Sequence, residues 1–392
     1  MRCVAILLVL VLVLGAAACG GPGGDEEQRG EGGGSREVPS QFVPGLDGAF
    51  GQVVAVEDAL VGLDARARQG LPFGQVYRLS DGTLRSLEPP PAPEGLSFVA
   101  SDGHRSKVLV AGYRCTGEPG DGESRCPSKV AAYLLDVADS RWTEISAPPG
   151  LDGVEFASIQ HAEFTADGAV AVISTSSELG PMLVRLEGTS WVQVAQDPSL
   201  EFRDACAAHG HLYALDATSE QAAGPATLHL RRFDLHTGRG RSIELPDVMS
   251  EYGGAGVTLG CNAAEAFVIT SSGPDVSAGV FRLGHGDADG DGAAWERVPS
   301  ELDDADVMVE RAVSGGSIGP VVIAVPIEPG VGSVPQRSFA IAIDAEGKAQ
   351  RLSAQAVDAD VYFAGGGPTA VVVGPFTDPL PATVPVRTEV IG

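Results

Sequence analysis

The residues best suited to chemistry fall into three groups. Asp287, Asp289 and Asp291 alternate with Ala288, Gly290 and Gly292. Alternating carboxylates around glycines suit a hard, oxygen-seeking cation such as Ca²⁺. A loop of that kind wants a further acid at its ninth or twelfth position, where Trp295 and Val298 stand. The competing reading is a solvated acidic hairpin tip. The second group is Arg203, Arg311 and Tyr362, with Asp204 beside the first and Glu310 beside the second. Converging guanidinium groups hold a carboxylate at two points, and a tyrosine near an acid is a nucleophile for some glycosidic cleavages. The third is His209-Gly210-His211, a pair of imidazoles able to share a metal. No third ligand lies near it in sequence, so a tight turn is the expectation. Gly315-Gly316-Ser317-Ile318-Gly319 has the glycine spacing of a hydrolase nucleophile turn, but Pro320 and an apolar strand follow where that turn requires a helix. The chain contains no His-Glu-x-x-His pattern and no phosphate-binding loop. Gly365-Gly366-Gly367 lacks the strand-then-helix context of a dinucleotide site.

What must position these residues is a repeat. Trp142, Trp191 and Trp295 each open a short alternating strand that runs towards a proline. The first interval is 49 residues and the second 104, twice 52. The copy missing between them is Ser242-Ile-Glu-Leu245, followed by Pro246. Leu84–Leu87 is a copy upstream and Ala349–Leu352 a weaker one downstream. Ahead of these lie further strands, such as Val76–Leu79, Leu183–Leu186 and Val280–Leu283. Ahead of those lie continuous apolar runs beginning at Ala59, Val108, Val170, His211, Ala266, Val321 and Ala370. Continuous apolar character means burial on both faces. A weaker strand opens each unit, as at Gln52–Val56, Glu155–Gln160, Phe202–Cys206 and Asp360–Phe363. No segment sustains a 3.6-residue period, so almost no helix is expected. Four short antiparallel strands recurring at about 50 residues are the blades of a β-propeller. One such sheet has two apolar faces and buries both only by stacking in a ring.

The expected fold is therefore all-β, a single seven-bladed propeller over residues 37–392, with six and eight blades as the neighbouring solutions. The last unit lacks an outer strand, which Val38–Val43 can supply, so an N-terminal strand would close the ring. Arg203, Arg311 and Tyr362 then lie on inner strands and are expected to line a central pocket with Asp204 and Glu310. Arg78, Arg185 and Arg282 recur at one place in their units and read as ties between blades. Four cysteines, Cys115, Cys126, Cys206 and Cys261, suit an oxidising compartment. Cys115 and Cys126 flank a glycine-rich hairpin loop, and Cys206 and Cys261 each stand five residues before an apolar run. The expected disulfides are Cys115–Cys126 and Cys206–Cys261.

The first 36 residues carry an address. Val4–Leu14 is an unbroken apolar run behind Arg2, of signal-peptide length and too short to span a bilayer. Gly15-Ala-Ala-Ala18 leads to Cys19, and this resembles a bacterial lipoprotein signal. The resemblance implies cleavage after residue 18, a lipid on the Cys19 thiol, and anchoring on the extracytoplasmic face of the cell membrane. Residues 19–36 would be a glycine-rich tether. The balance of 26 Lys+Arg against 52 Asp+Glu, a net charge of −26, argues against nucleic acid as a partner.

One unit is similar to a kelch repeat. Tyr133, Asp136 and Trp142 have about the kelch spacing, with Gly112 near the place of that family's glycine pair. Only three units carry the tryptophan. The turns Gly188-Thr-Ser-Trp191 and Gly292-Ala-Ala-Trp295 resemble the Asp-box turns of sialidase-type propellers, without their Ser-x-Asp part. These resemblances imply a propeller lipoprotein. The expected function is a monomeric envelope binding or scaffold module for a glycan, peptide or protein partner, with no cofactor and no catalysis. The alternative is a sialidase-like extracellular glycoside hydrolase.

Overall fold

The computed structural model describes residues 41–44, 52–63, 73–117, 126–175, 179–218, 227–246, 256–262, 264–272, 277–284, 295–300, 302–303, 307–313, 320–326, 339–343, 349–352, 360–363, 369–373 and 383–390. Among them every regular element is a β-strand. β1 (Gln41–Pro44) stands apart at the start. The chain then folds into four-stranded antiparallel sheets laid down in sequence order. The first holds β2 (Gln52–Val56), β3 (Ala59–Leu63), β4 (Gly74–Arg78) and β5 (Leu84–Leu87). Next come β6 (Leu96–His104), β7 (Lys107–Cys115), β8 (Ser128–Asp136) and β9 (Arg141–Ile145). β10 (Ala157–Thr165), β11 (Gly168–Thr175), β12 (Met182–Glu187) and β13 (Ser190–Gln196) follow. Then come β14 (Phe202–Ala208), β15 (His211–Thr218), β16 (Thr227–Asp234) and β17 (Gly240–Ile243). β18 (Val257–Cys261), β19 (Ala266–Thr270), β20 (Gly279–Leu283) and β21 (Trp295–Val298) precede β22 (Val307–Val313), β23 (Val321–Pro326), β24 (Phe339–Ile343) and β25 (Ala349–Leu352). In the last sheet, β26 (Asp360–Phe363), β27 (Thr369–Val373) and β28 (Thr383–Val390) are completed by β1, which pairs Phe42 with Pro385 and Val43 with Val384.

The apolar runs become the second strand of each sheet, and the sheets from β6 to β21 are packed on both faces. Along β7, Val108 and Val110 point into a core shared with Val61, while Leu109 and Ala111 point into another shared with Ile173. Val172 joins Leu212, Leu215 joins Val268, and Ile269 joins Val322 in the cores that follow. Side chains alternate at a period of two, so a run that is apolar at every position feeds two cores at once. The first strands form their own circuit: β2 neighbours β6, then β10, β14, β18, β22 and β26, and β26 neighbours β2.

Repeated side chains tie adjacent sheets. The Trp142 indole donates to the Glu88 carbonyl and the Trp295 indole to the Glu244 carbonyl, each at 2.8 Å. Both acceptors follow the outer strand of the preceding sheet. At the equivalent place the backbone N–H of buried Trp191 donates to Ser146 O. Arg78 donates to Val137 O at 3.2 Å and Arg185 to Leu235 O at 2.9 Å, in each case just past the third strand of the next sheet. Arg282 pairs with Glu296 and Glu265 in its own sheet. Cys115–Cys126 closes a hairpin loop, and Cys206–Cys261 joins β14 to β18 across two sheets, each with Cα atoms 5.6 Å apart.

Several strand ends differ from the sequence-based expectation by a residue or two, and one by five. The opening strand expected to stop at Gln160 runs on to Thr165. Gln160 is an extra residue in the ladder: Ile159 pairs with Ile173 and His161 with Val172. That bulge breaks the alternation on which strand recognition depends.

Candidate functional site: bulges and an acid–imidazole cluster on the first strands

The bulge at Gln160 is one of a set. Val99 is extra in β6, Arg203 in β14 and Glu310 in β22. Val99, Gln160 and Arg203 each lie five residues before the end of their strand, at His104, Thr165 and Ala208. A bulged residue has no partner across the ladder, and its side chain is re-aimed. Val99, Gln160 and Arg203 are all exposed, and Met308, two residues before Glu310, is 50% exposed. Register therefore sets a polar and apolar group at one level on three successive first strands. Two of the residues singled out for chemistry, Arg203 and Glu310, are bulge positions.

Asp204 serves the fold. Its Oδ1 accepts from Ala205 N at 2.9 Å, and its Oδ2 accepts from Leu259 N at 2.8 Å and Thr258 Oγ1 at 2.7 Å. It thus clamps β14 to β18. Asp102 does the same between β6 and β10, accepting from Gly103 N and Phe164 N at 2.7 Å each. Between the two clamps lies a pair on β10. His161 Nε2 and Glu163 Oε1 approach to 3.2 Å, off the axis of a good hydrogen bond, with both atoms sealed from solvent.

These four groups form one electrostatic unit. Removal from water pushes the Asp102 carboxyl up to about 6, against the pull of the Phe164 and Gly103 N–H groups, and the Glu163 charge adds to the rise. Burial alone would lower His161. Glu163, Asp204 and Asp102 outweigh it, and the imidazole ends above its ordinary value. Asp102 therefore keeps its proton to a higher pH than an ordinary carboxyl, and His161 keeps its own to a higher pH than an ordinary imidazole. Asp102, His161 and Glu163 carry no shared sequence signal, because their proximity depends on register across two sheets.

The remaining candidates are placed as follows. Arg311 and Tyr362 stand on β22 and β26, paired with Ile323 and Val371. Asp287, Asp289, Asp291, Cys19 and the Gly315–Gly319 stretch lie outside the described residues. Among the described residues, no group of three or more His, Cys, Asp or Glu is arranged to hold a metal ion. His209 and Gly210 form the two-residue turn between β14 and β15, both at positive φ (48° and 74°), as their spacing suggested.

The fold is all-β, built of four-stranded antiparallel sheets, and its structural neighbours are β-propeller proteins. No family model matches the chain, and no curated protein is similar to it in sequence. Among solved structures it is similar to YCF48 bound to a D1 peptide, with a TM-score of 0.51 at 10% identity, covering 91% of this chain and 96% of that one. It is similar also to the β-propeller domain of the Trilobed protease from Pyrococcus furiosus, with a TM-score of 0.48 at 10% identity over 86% of this chain and 90% of that one. Similarity to Porphyromonas gingivalis dipeptidyl peptidase 4 has a TM-score of 0.42 at 12% identity and covers 82% of this chain, which spans 56% of that protein's length.

Proposed function

We propose that the protein is a lipid-anchored, extracytoplasmic binding module whose sheets close into a seven-bladed ring. The circuit of first strands from β2 round to β26 supports the ring, and the β1–β28 pairing supports its closure by the N-terminal strand. The signal-like segment ending at Cys19 supports the anchor. The partner is a macromolecule, a glycan, peptide or protein, met at the mouth of the ring without catalysis or cofactor. One observation carries this reading: the register-matched bulges that turn Val99, Gln160 and Arg203 out to solvent on neighbouring first strands. A neighbour of this fold is described as bound to a D1 peptide, which is consistent with a peptide in the same role.

The test is capture of envelope peptides and glycans on the full chain, followed by thermal shift. A ligand present at about 100 times its Kd raises stability by about 2.7 kcal/mol. Arg203→Glu together with Val99→Lys is expected to abolish that shift. If the double variant binds the captured partner as the native chain does, the mouth is not the site. Turnover of a sialylated glycan would replace the module with the hydrolase alternative.

A further inference from the structure

Six segments join one sheet to the next: 88–95, 146–156, 197–201, 244–256, 299–306 and 353–359. Together they hold 14 Asp and Glu and no Lys, Arg or His. The whole chain carries one Lys or Arg for every two acids, 26 against 52, so this exclusion is a feature of the segments and not of the composition. The loops between second and third strands hold 9 Asp and Glu against 4 Lys and Arg, the same sign.

Topology gathers all of these at one end of the ring. First strands run side by side in one direction. Gly103 lies against Ala55 and Gly260 against Ala312, and each of the four stands one residue before the end of its strand. Pairing within a sheet is antiparallel, as from β6 to β9, so fourth strands finish and third strands start at the end where first strands start. There Glu88, Glu94, Asp152, Glu155, Glu201 and Glu244 are exposed, and among the described residues no ion pair holds any of them. At the other end the hairpin turns mix signs. Arg105 and Arg239 are exposed there, and Asp58 is held by Arg78.

Apolar groups are turned out at the same acidic end. Val99, Gln160, Arg203 and Met308 each stand five residues before the end of a first strand. Val99 and Met308 are 40% and 50% exposed, and Leu179, in the β11–β12 loop, is 39% exposed. These are three of the four exposed large apolar side chains among the described residues. Apolar side chains gathered at one end and rimmed by charge mark a contact with another molecule. Below them Asp102, Glu163 and Asp204 outnumber His161, so the negative sign continues into the ring. Glu163 is 7% exposed, and its Oε1 has no hydrogen-bond partner.

We propose that this end of the ring docks a basic peptide segment of a protein partner, its Lys or Arg side chains meeting the rim acids and its aliphatic side chains meeting Val99, Met308 and Leu179. Arg203 donates to backbone carbonyls of that segment. Complementary charge steers the encounter and rejects acidic partners, including a second copy of the same surface. The inference rests on the mouth as the binding place and adds the chemistry of what binds there.

The experiment titrates the full chain by calorimetry with the amidated peptide Lys-Leu-Lys-Val-Lys-Leu, its Gln-for-Lys and Glu-for-Lys analogues, and chitohexaose. The Lys peptide should bind about tenfold or more tightly than the Gln analogue. Raising NaCl to about 0.5 M should weaken it about tenfold. Glu94→Lys, Glu155→Lys and Glu201→Lys combined should weaken it about tenfold or more. Glu57→Lys, Asp139→Lys and Asp167→Lys combined make the same change in net charge at the other end, and should leave binding within about twofold. Both triple variants alter exposed residues and should keep the native Tm. Equal weakening by the two triples overturns the proposal, since net charge alone would then attract the peptide. So does tighter binding of either analogue, chitohexaose bound as tightly as the Lys peptide, or no Lys-peptide binding up to about 1 mM. An acidic or glycan partner captured from the envelope that is lost in the Arg203→Glu, Val99→Lys variant would overturn this inference and leave the mouth in place.

Discussion

Replacing Asp102 by asparagine should remove a large part of the protein's gain in stability on mild acidification. The folded carboxyl titrates at about 6 against an ordinary 3.8. A group whose folded pKa is raised binds its proton more readily in the native state, so its ionised form costs stability at neutral pH. That cost is relieved as pH falls through about 6, and in full below the unfolded value. A shift of about two units corresponds to about 3 kcal/mol, of which about 2 kcal/mol is recovered between about pH 7.5 and 4.5. His161 acts with the same sign. Its raised folded pKa supplies stability that is present in acid and lost as pH rises through that value. The assay is urea unfolding of the full chain and of Asp102→Asn at both pH values. At a slope near 2 kcal/mol per M, the native midpoint should rise by roughly 1 M more than the variant's on acidification. The general relief of a −26 charge affects both proteins alike and cancels in the difference. Equal midpoint shifts in the two proteins would refute the argument from the cluster.

Two further outcomes are expected. Breaking Cys206–Cys261, a 55-residue separation that joins two sheets, should cost about 4 kcal/mol, against about 3 kcal/mol for Cys115–Cys126, separated by 11. Paired serine variants compared by denaturant midpoint measure the order, and a larger loss at the short loop would contradict it. Gly103→Ala places a Cβ 2.2 Å from Ala55 O on the neighbouring first strand, so it should destabilise by about 1–3 kcal/mol. An unchanged Tm would mean that β2 and β6 can part at no cost.

The sequence by itself determined the repeat. A run that is apolar at every position, as in Ala59–Leu63 or Val170–Ile173, must feed two cores, and only stacked sheets provide them. The fifty-residue beat of tryptophan strands set the unit, and equal distances of Cys206 and Cys261 from their apolar runs predicted their bridge. Even the tie made by Arg78 and Arg185 was legible from its recurrence. These features are local or periodic, and a linear chain displays both. The tertiary structure alone decided the rest. A single extra residue in β10 shifts the alternation and hides His161 and Glu163 from any pattern of period two. Asp102 reaches their neighbour Phe164 across a separation of 62 residues because β6 lies beside β10. Asp204 turns its carboxylate to Leu259 N and Thr258 Oγ1 on β18, a contact no local pattern shows. Proximity between blades depends on register and stacking, and neither is written at any one position of the chain.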